Sequence, residues 1–202
     1  MKYSDIDQRK TAFIFELDNV LYPEKDYLYQ VYYLYANLLE YTELWDAKAM
    51  VSLMAKTYEE KGKDEVFNVL QQKFNVDEKY RANFDDMLLT AKVPLMLLLY
   101  KNMLDLLQAI VVDRKKIFIV TNGNPRQQLN KIKHTEWNGL EPYLTCYFAD
   151  EVSAKPEPDV INQLLKDHQL ERRNVVMIGN SEADELCAQA AGTDYFSSAL
   201  FL

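Results

Sequence analysis

Two carboxylates stand two residues apart, at Glu16 and Asp18, directly after the apolar run AFIF of Ala12 to Phe15. Three further segments end in groups of comparable reactivity. KIFIV (Lys116 to Val120) leads into Thr121-Asn122-Gly123-Asn124, and TCYFA (Thr145 to Ala149) into Asp150 and then Lys155-Pro156. NVVMI (Asn174 to Ile178) leads into Gly179-Asn180-Ser181 and then Asp184. A carboxylate can attack an electrophilic centre or move a proton. A lysine can offset anionic charge, and a hydroxyl with turn amides can hold an oxyanion. Taken singly, each has an ordinary structural reading. Thr121 and Asn122 could cap a helix, Lys155 could be a solvated loop lysine, and Asp184 could sit in a helical first turn. Their shared place, just after an apolar run or leading a helix, sets them apart.

The elements that must position them follow from periodicity. The runs at 12–15, 116–120 and 174–178, with a weaker one at 145–149, are short, apolar on both alternations and closed by turn-prone residues. That pattern predicts strands covered on both faces, as in a parallel sheet. Helical spacing is read at 26–40, where Leu28, Val31, Leu34, Tyr35 and Leu38 form one stripe. It recurs at 47–60, 64–74, 78–91, 96–111, 125–134, 159–168 and 182–191. Tyrosines recurring through YLYQVYYLYANLLEY read as core or half-buried packing with a wet hydroxyl, a substrate-facing role being the alternative. The expected fold class is α/β, a doubly wound parallel sheet, with 1–25 and 93–202 forming the core. The wholly helical stretch 26–92 is expected as an inserted subdomain. Open parallel sheets bind ligands at the carboxyl ends of their strands, where the reactive residues stand.

Composition limits the partners. Apolar residues make up 49% of the 202 residues and the formal net charge is -8. A sizeable core can be buried, and an acidic surface repels nucleic-acid backbones. No stretch is long and apolar enough to span a bilayer, VPLMLLLY (Val93 to Tyr100) being far too short. Cys146 and Cys187 have no metal or redox spacing, which points to a reducing compartment. A soluble, cytoplasmic protein is expected, with no nucleic-acid or membrane partner. Oligomeric state is not legible. His134 and His168 stand far apart, without ligand spacing.

Taken in order, the four segments resemble the motifs of the haloacid dehalogenase (HAD) superfamily over nearly the whole chain. FELDNVLYPE resembles its Asp-x-Asp motif, with Glu16 at the first acidic position and Asp18 at the second. IFIVTNGN supplies Thr121, SAKPEPDVI supplies Lys155, and MIGNSEADELCAQAAG supplies Gly179, Asn180, Ser181 and Asp184. The resemblance implies a Rossmannoid core with an α-helical cap at 26–92 and a phosphomonoester hydrolase acting on a small phosphorylated metabolite. It assigns in-line attack to the position of Glu16 and acid–base work to Asp18. It assigns the phosphoryl group to Thr121, Asn122, Gly123 and Lys155. It also implies Mg²⁺, with Glu16, the carbonyl of Asp18, Asn180 and Asp184 on the metal side. Dehalogenation fits these residues less well than phosphate chemistry.

Two residues depart from that pattern. Glu16 stands where the nucleophilic aspartate belongs; one added methylene moves its oxygen by roughly 1 to 1.5 Å, and a misplacement of about 1 Å can cost on the order of a hundredfold. Asn180 stands where aspartate is usual and brings an oxygen without charge. The expectation is therefore a phosphatase-type site with impaired turnover and a weakened metal. The alternative is a catalytically inactive module that keeps the fold to bind a phosphorylated ligand or a protein partner.

Overall fold

The computed structural model describes residues 1–202. Five strands form one parallel sheet: β1 (Ala12–Phe15), β3 (Lys116–Thr121), β5 (Leu144–Phe148), β6 (Val175–Gly179) and β7 (Asp194–Ser197), in the order β5-β3-β1-β6-β7. β1 lies at the centre with every residue buried, as its unbroken apolar run requires of a strand covered on both faces. Phe15 pairs with Ile119 on one side and with Ile178 on the other. This register aligns the carboxyl ends of three strands, so Glu16, Thr121 and the turn after β6 emerge side by side. The Glu16 amide extends the ladder by donating to the Ile178 carbonyl at 3.1 Å.

Helices α5 (Lys101–Val112), α6 (Pro125–Lys133), α7 (Asp159–Asp167) and α8 (Glu182–Ala191) follow or connect these strands. On one face, Val160, Ile161 and Leu164 of α7 pack with Ile14, Phe118, Val120 and Met177 of the sheet. Right-handed crossovers between parallel strands need such helices to cover the sheet. Edge strand β7 escapes sequence reading because its four residues are only half-buried or exposed, leaving no continuous apolar run. The helix expected at 96–111 begins later, at Lys101. Leu97–Leu98 instead form a short strand, β2, paired with β4 (Thr135–Glu136). The extended backbone at Tyr100 (ψ 133°) and its amide bond to the Leu21 carbonyl (2.8 Å) delay the helix.

The contacts divide the chain into two compact units. One comprises Met1–Glu24, Leu97–Leu129 and Thr135–Leu202; the other comprises Lys25–Met96 and Asn130–His134. The second unit is built from α1 (Glu24–Glu43), α2 (Ala47–Lys61), α3 (Val66–Phe74) and α4 (Arg81–Thr90). The segments expected as helices at 64–74 and 78–91 each begin with a single 3₁₀ turn, at Lys63–Glu65 and Glu78–Tyr80. The buried stripe of α1 runs through Leu28, Val31, Tyr32, Tyr35 and Leu39, leaving Leu34 and Leu38 only half-buried. Tyr32, Tyr35 and Phe67 gather around Phe84, with the Tyr35 and Phe84 rings edge-on at 5.0 Å. Two buried tyrosine hydroxyls reach backbone: Tyr27 donates to the Leu88 carbonyl at 2.8 Å and Tyr35 to that of Tyr80 at 3.2 Å. Asp46 caps α2 through the Ala49 amide at 3.0 Å. No helix is long and apolar enough to cross a membrane. Both cysteines are free, and burial pushes each thiol up to about 11.

Phe84→Ala removes the ring around which this aromatic cluster is packed. A loss of about 3–5 kcal/mol is expected, measured as a lower urea midpoint. An unchanged midpoint would show that the cluster does not hold the helical unit.

Candidate active site

Strand β1 delivers Glu16 into a buried position, 8% exposed, and Lys155 reaches it from the loop after β5 with 5% exposure. The Lys155 ammonium lies between two carboxylates, bonded to Glu16 Oε2 and Asp184 Oδ1, and also donates to the Val120 carbonyl at 3.2 Å. The other Glu16 oxygen, Oε1, accepts from the Leu17 amide at 2.7 Å and the Thr121 hydroxyl at 2.5 Å. Both carboxylate oxygens are therefore held by protein donors. Asp184 Oδ2 accepts from the amides of Asn180 and Ser181, each at 3.1 Å, and from the Ser181 hydroxyl at 2.8 Å.

Local sequence explains how the triad is held. Ser181 and Asp184 form a capping box at the start of α8, which turns Asp184 back toward the strand end. Gly179 makes room for it: a Cβ there would stand 2.5 Å from Asp184 Cβ, closer than atoms can approach. The Asn122 side chain clamps the lysine loop through two amide bonds with the Lys155 backbone, both 3.0 Å. At Asn19 the chain takes φ 59°, a left-handed turn that asparagine tolerates. The Asn19 side chain then accepts from the Glu24 amide at 2.9 Å as α1 begins.

Electrostatics pull the three groups in different directions. Burial raises the Glu16 carboxyl; Lys155 opposes this while Asp184 adds to it, and the carboxyl stays above its ordinary value. Burial would lower Lys155, but the charges of Glu16 and Asp184 overcome it and hold the ammonium above its usual range. Burial likewise raises Asp184, but Lys155 and the donors of Ser181 and Asn180 bring its carboxyl below the usual carboxylate range. One cation thus serves two buried anions.

Sequence reasoning missed Gln128 on α6, which is 2% exposed. Its two Nε2 protons are shared among Asp18 Oδ2 (3.0 Å), Thr121 Oγ1 (2.7 Å) and the Asn122 carbonyl (3.0 Å), the Thr121 contact being the shortest, while its Oε1 is buried without a hydrogen-bond partner. Because Thr121 accepts from Gln128, its single hydroxyl proton points to Glu16. Asp18 also accepts from the Tyr22 hydroxyl at 3.0 Å. A glutamine seven residues after Thr121, in the first turns of a helix, is the only sequence signal for this role. The structure thus joins Glu16, Thr121, Lys155 and Asp184 directly, and ties Asp18 to Thr121 through Gln128. The Gly123 amide is engaged by Asp150 at 3.0 Å, and Asn180 is exposed, its amide turned to Asp184.

No group of three His, Cys, Asp or Glu side chains is placed to hold a metal ion. Glu16 gives both oxygens to Leu17, Thr121 and Lys155, and Asp184 gives both to Lys155 and the α8 cap. Mg²⁺ demands open, hard oxygens in near-octahedral geometry. The arrangement does not fit it.

Known proteins place the chain. A family model described as haloacid dehalogenase-like hydrolase matches residues 13–197. No curated protein matches the sequence. A hydrolase from Streptococcus pneumoniae TIGR4 shares the fold at 19% identity, covering 94% of this chain and 92% of its own, with a TM-score of 0.58. A HAD family hydrolase from Deinococcus radiodurans R1, solved with bound phosphate and sodium, is 18% identical over 95% of this chain and 81% of its own, at 0.59. A protein assigned as a HAD-hydrolase from Bacillus subtilis, solved bound to magnesium, is 18% identical over 93% and 88%, also at 0.59.

Asp184→Asn leaves Lys155 with one buried anion. At pH 7 the variant should lose about 1.5–3 kcal/mol, the range for a hydrogen bond to a charged group, since Glu16 still pairs the ammonium. A carboxyl held below its unfolded value stabilises above about pH 4, and that share is lost as pH falls through the folded value. The gap in urea midpoint between wild type and variant should therefore narrow below about pH 4; a gap constant from pH 7 to 3 would contradict the assignment.

Proposed function

The chain belongs to the haloacid dehalogenase-like hydrolases, and on that premise we propose that it carries a phosphomonoester phosphatase-type site for a small phosphorylated metabolite, with turnover impaired at Glu16 and Asn180. The observation that carries this reading is the commitment of both Glu16 oxygens to Leu17, Thr121 and Lys155. A carboxylate attacks phosphorus through a free oxygen aligned with the leaving group. Glu16 must first give up charge-assisted bonds, which are among the stronger polar contacts in a protein. Its added methylene is what lets the carboxylate fold back into them.

Asp18 stands outside the triad, its carboxyl aimed by Gln128 and Tyr22. In this reading it protonates the departing alkoxide and later takes the proton of the attacking water. Lys155 and Thr121 hold the transferring group. The relative with bound phosphate supports the ligand class, and the relative with bound magnesium supports the pairing of metal and fold. With Asn180 uncharged and the oxygens of Glu16 and Asp184 engaged, the wild-type chain in this reading does not hold Mg²⁺.

Hydrolysis of p-nitrophenyl phosphate tests the reading. Wild type should turn over far below the ~1 s⁻¹ at which ordinary enzymes begin. Glu16→Asp with Asn180→Asp should raise kcat/KM by about a hundredfold, and Asp18→Asn should remove the gain. Mg²⁺ should raise the thermal midpoint of the double variant and leave that of wild type unchanged. Wild-type turnover in the ordinary enzyme range, or a double variant no faster than wild type, would overturn it.

A further inference from the structure

Three donors of different kinds converge on the Glu16 carboxylate: a backbone amide (Leu17), a hydroxyl whose proton Gln128 directs (Thr121) and a buried ammonium (Lys155). Convergent donors of this sort make an oxyanion pocket. Here the pocket is filled from within the chain. We propose that Glu16 is the resident occupant of an anion site, and that its carboxylate excludes external phosphate until it is withdrawn or removed. This inference rests on the phosphatase-type reading for the identity of the excluded ligand, but it concerns occupancy rather than turnover.

Charge and size both suit the exchange. Glu16 and Asp184 carry two negative charges against one on Lys155, and all three side chains are buried. Removing Glu16 leaves Lys155 and Asp184 as a neutral pair. A monoanionic phosphate would restore the charge that the carboxylate supplied, and it is close in size to the carboxymethyl group that Glu16→Ala removes. Asp184 does not compete for the vacated donors, because its Oδ2 is held by the amides and hydroxyl that cap α8. Gln128 also stays in place beside Thr121, since its Nε2 lies within hydrogen-bond distance of Asp18 and the Asn122 carbonyl as well. A tethered ligand exceeds the millimolar effective concentration of a short flexible linker, so millimolar phosphate does not displace Glu16 in the wild type.

Glu16→Ala is the direct test, with inorganic phosphate as the probe and sodium chloride at matched ionic strength as the control. Calorimetry and thermal melting of the whole chain should show phosphate binding to the variant at least tenfold tighter than to wild type. Ten millimolar phosphate should raise its midpoint by several degrees, as mass action on a native-state ligand requires. Adding Thr121→Val should abolish most of that rise. Glu16→Asp keeps the charge and shortens the arm, so it should also bind phosphate more tightly than wild type; it serves if the alanine variant does not fold. Wild type binding phosphate as tightly as both variants, or neither variant binding it better than wild type, overturns the proposal. An inactive Glu16→Asp, Asn180→Asp protein beside a phosphate-binding Glu16→Ala protein would sink the turnover reading and leave this one standing.

Discussion

The Lys155 ammonium, buried between the carboxylates of Glu16 and Asp184, is the interaction around which the sheet core is organised. Burying an ion costs several kcal/mol unless it is paired and its remaining hydrogen bonds are met. Three separate segments therefore have to arrive together: the end of β1, the loop after β5 and the start of α8. Each has its own device for arriving. β1 is set by its register against β3 and β6, the lysine loop by the Asn122 clamp, and Asp184 by the capping box with Ser181 and the bare Cα of Gly179.

The same interaction limits the chemistry. A site that handles phosphate needs donors held ready and a nucleophile held apart from them. In the proposed reading, Glu16 holds the nucleophile position and is bound by those donors, Thr121 and Lys155. Gln128 strengthens this arrangement by fixing the direction of the Thr121 proton. The exposure of Asn180 and the full engagement of Asp184 leave the metal side without a free carboxylate pair. The family frame is retained in this chain while the carboxylates of Glu16 and Asp184 are paired off with its own donors.

The helical unit is governed by different physics. Its core is the aromatic packing about Phe84, with Tyr27 and Tyr35 burying their rings while their hydroxyls donate to carbonyls. Periodicity found the helices but displaced the buried face of α1, because tyrosine is ambiguous between core and surface. Tyr32 is fully buried while the adjacent Tyr33 is exposed. The late start of α5 was hidden for a related reason: Leu97, buried in β2, and Leu98 satisfy a helical apolar stripe as readily as a short strand.

By itself the sequence determined the α/β class, the central strands and the family, since unbroken apolar runs closed by Glu16, Thr121, Lys155 and Gly179 are local patterns with few alternative folds. It also marked the two departures, Glu16 and Asn180, because residue identity needs no coordinates. Only the tertiary structure decided what the Glu16 substitution does. Whether a longer carboxylate reaches outward or folds back depends on Leu17, Thr121 and Lys155 meeting at its oxygens. Residues from three places in the chain meet there, and no one-dimensional spacing encodes that meeting. Edge strand β7 and the role of Gln128 were settled the same way, by neighbours distant in sequence that cover the one and accept from the other.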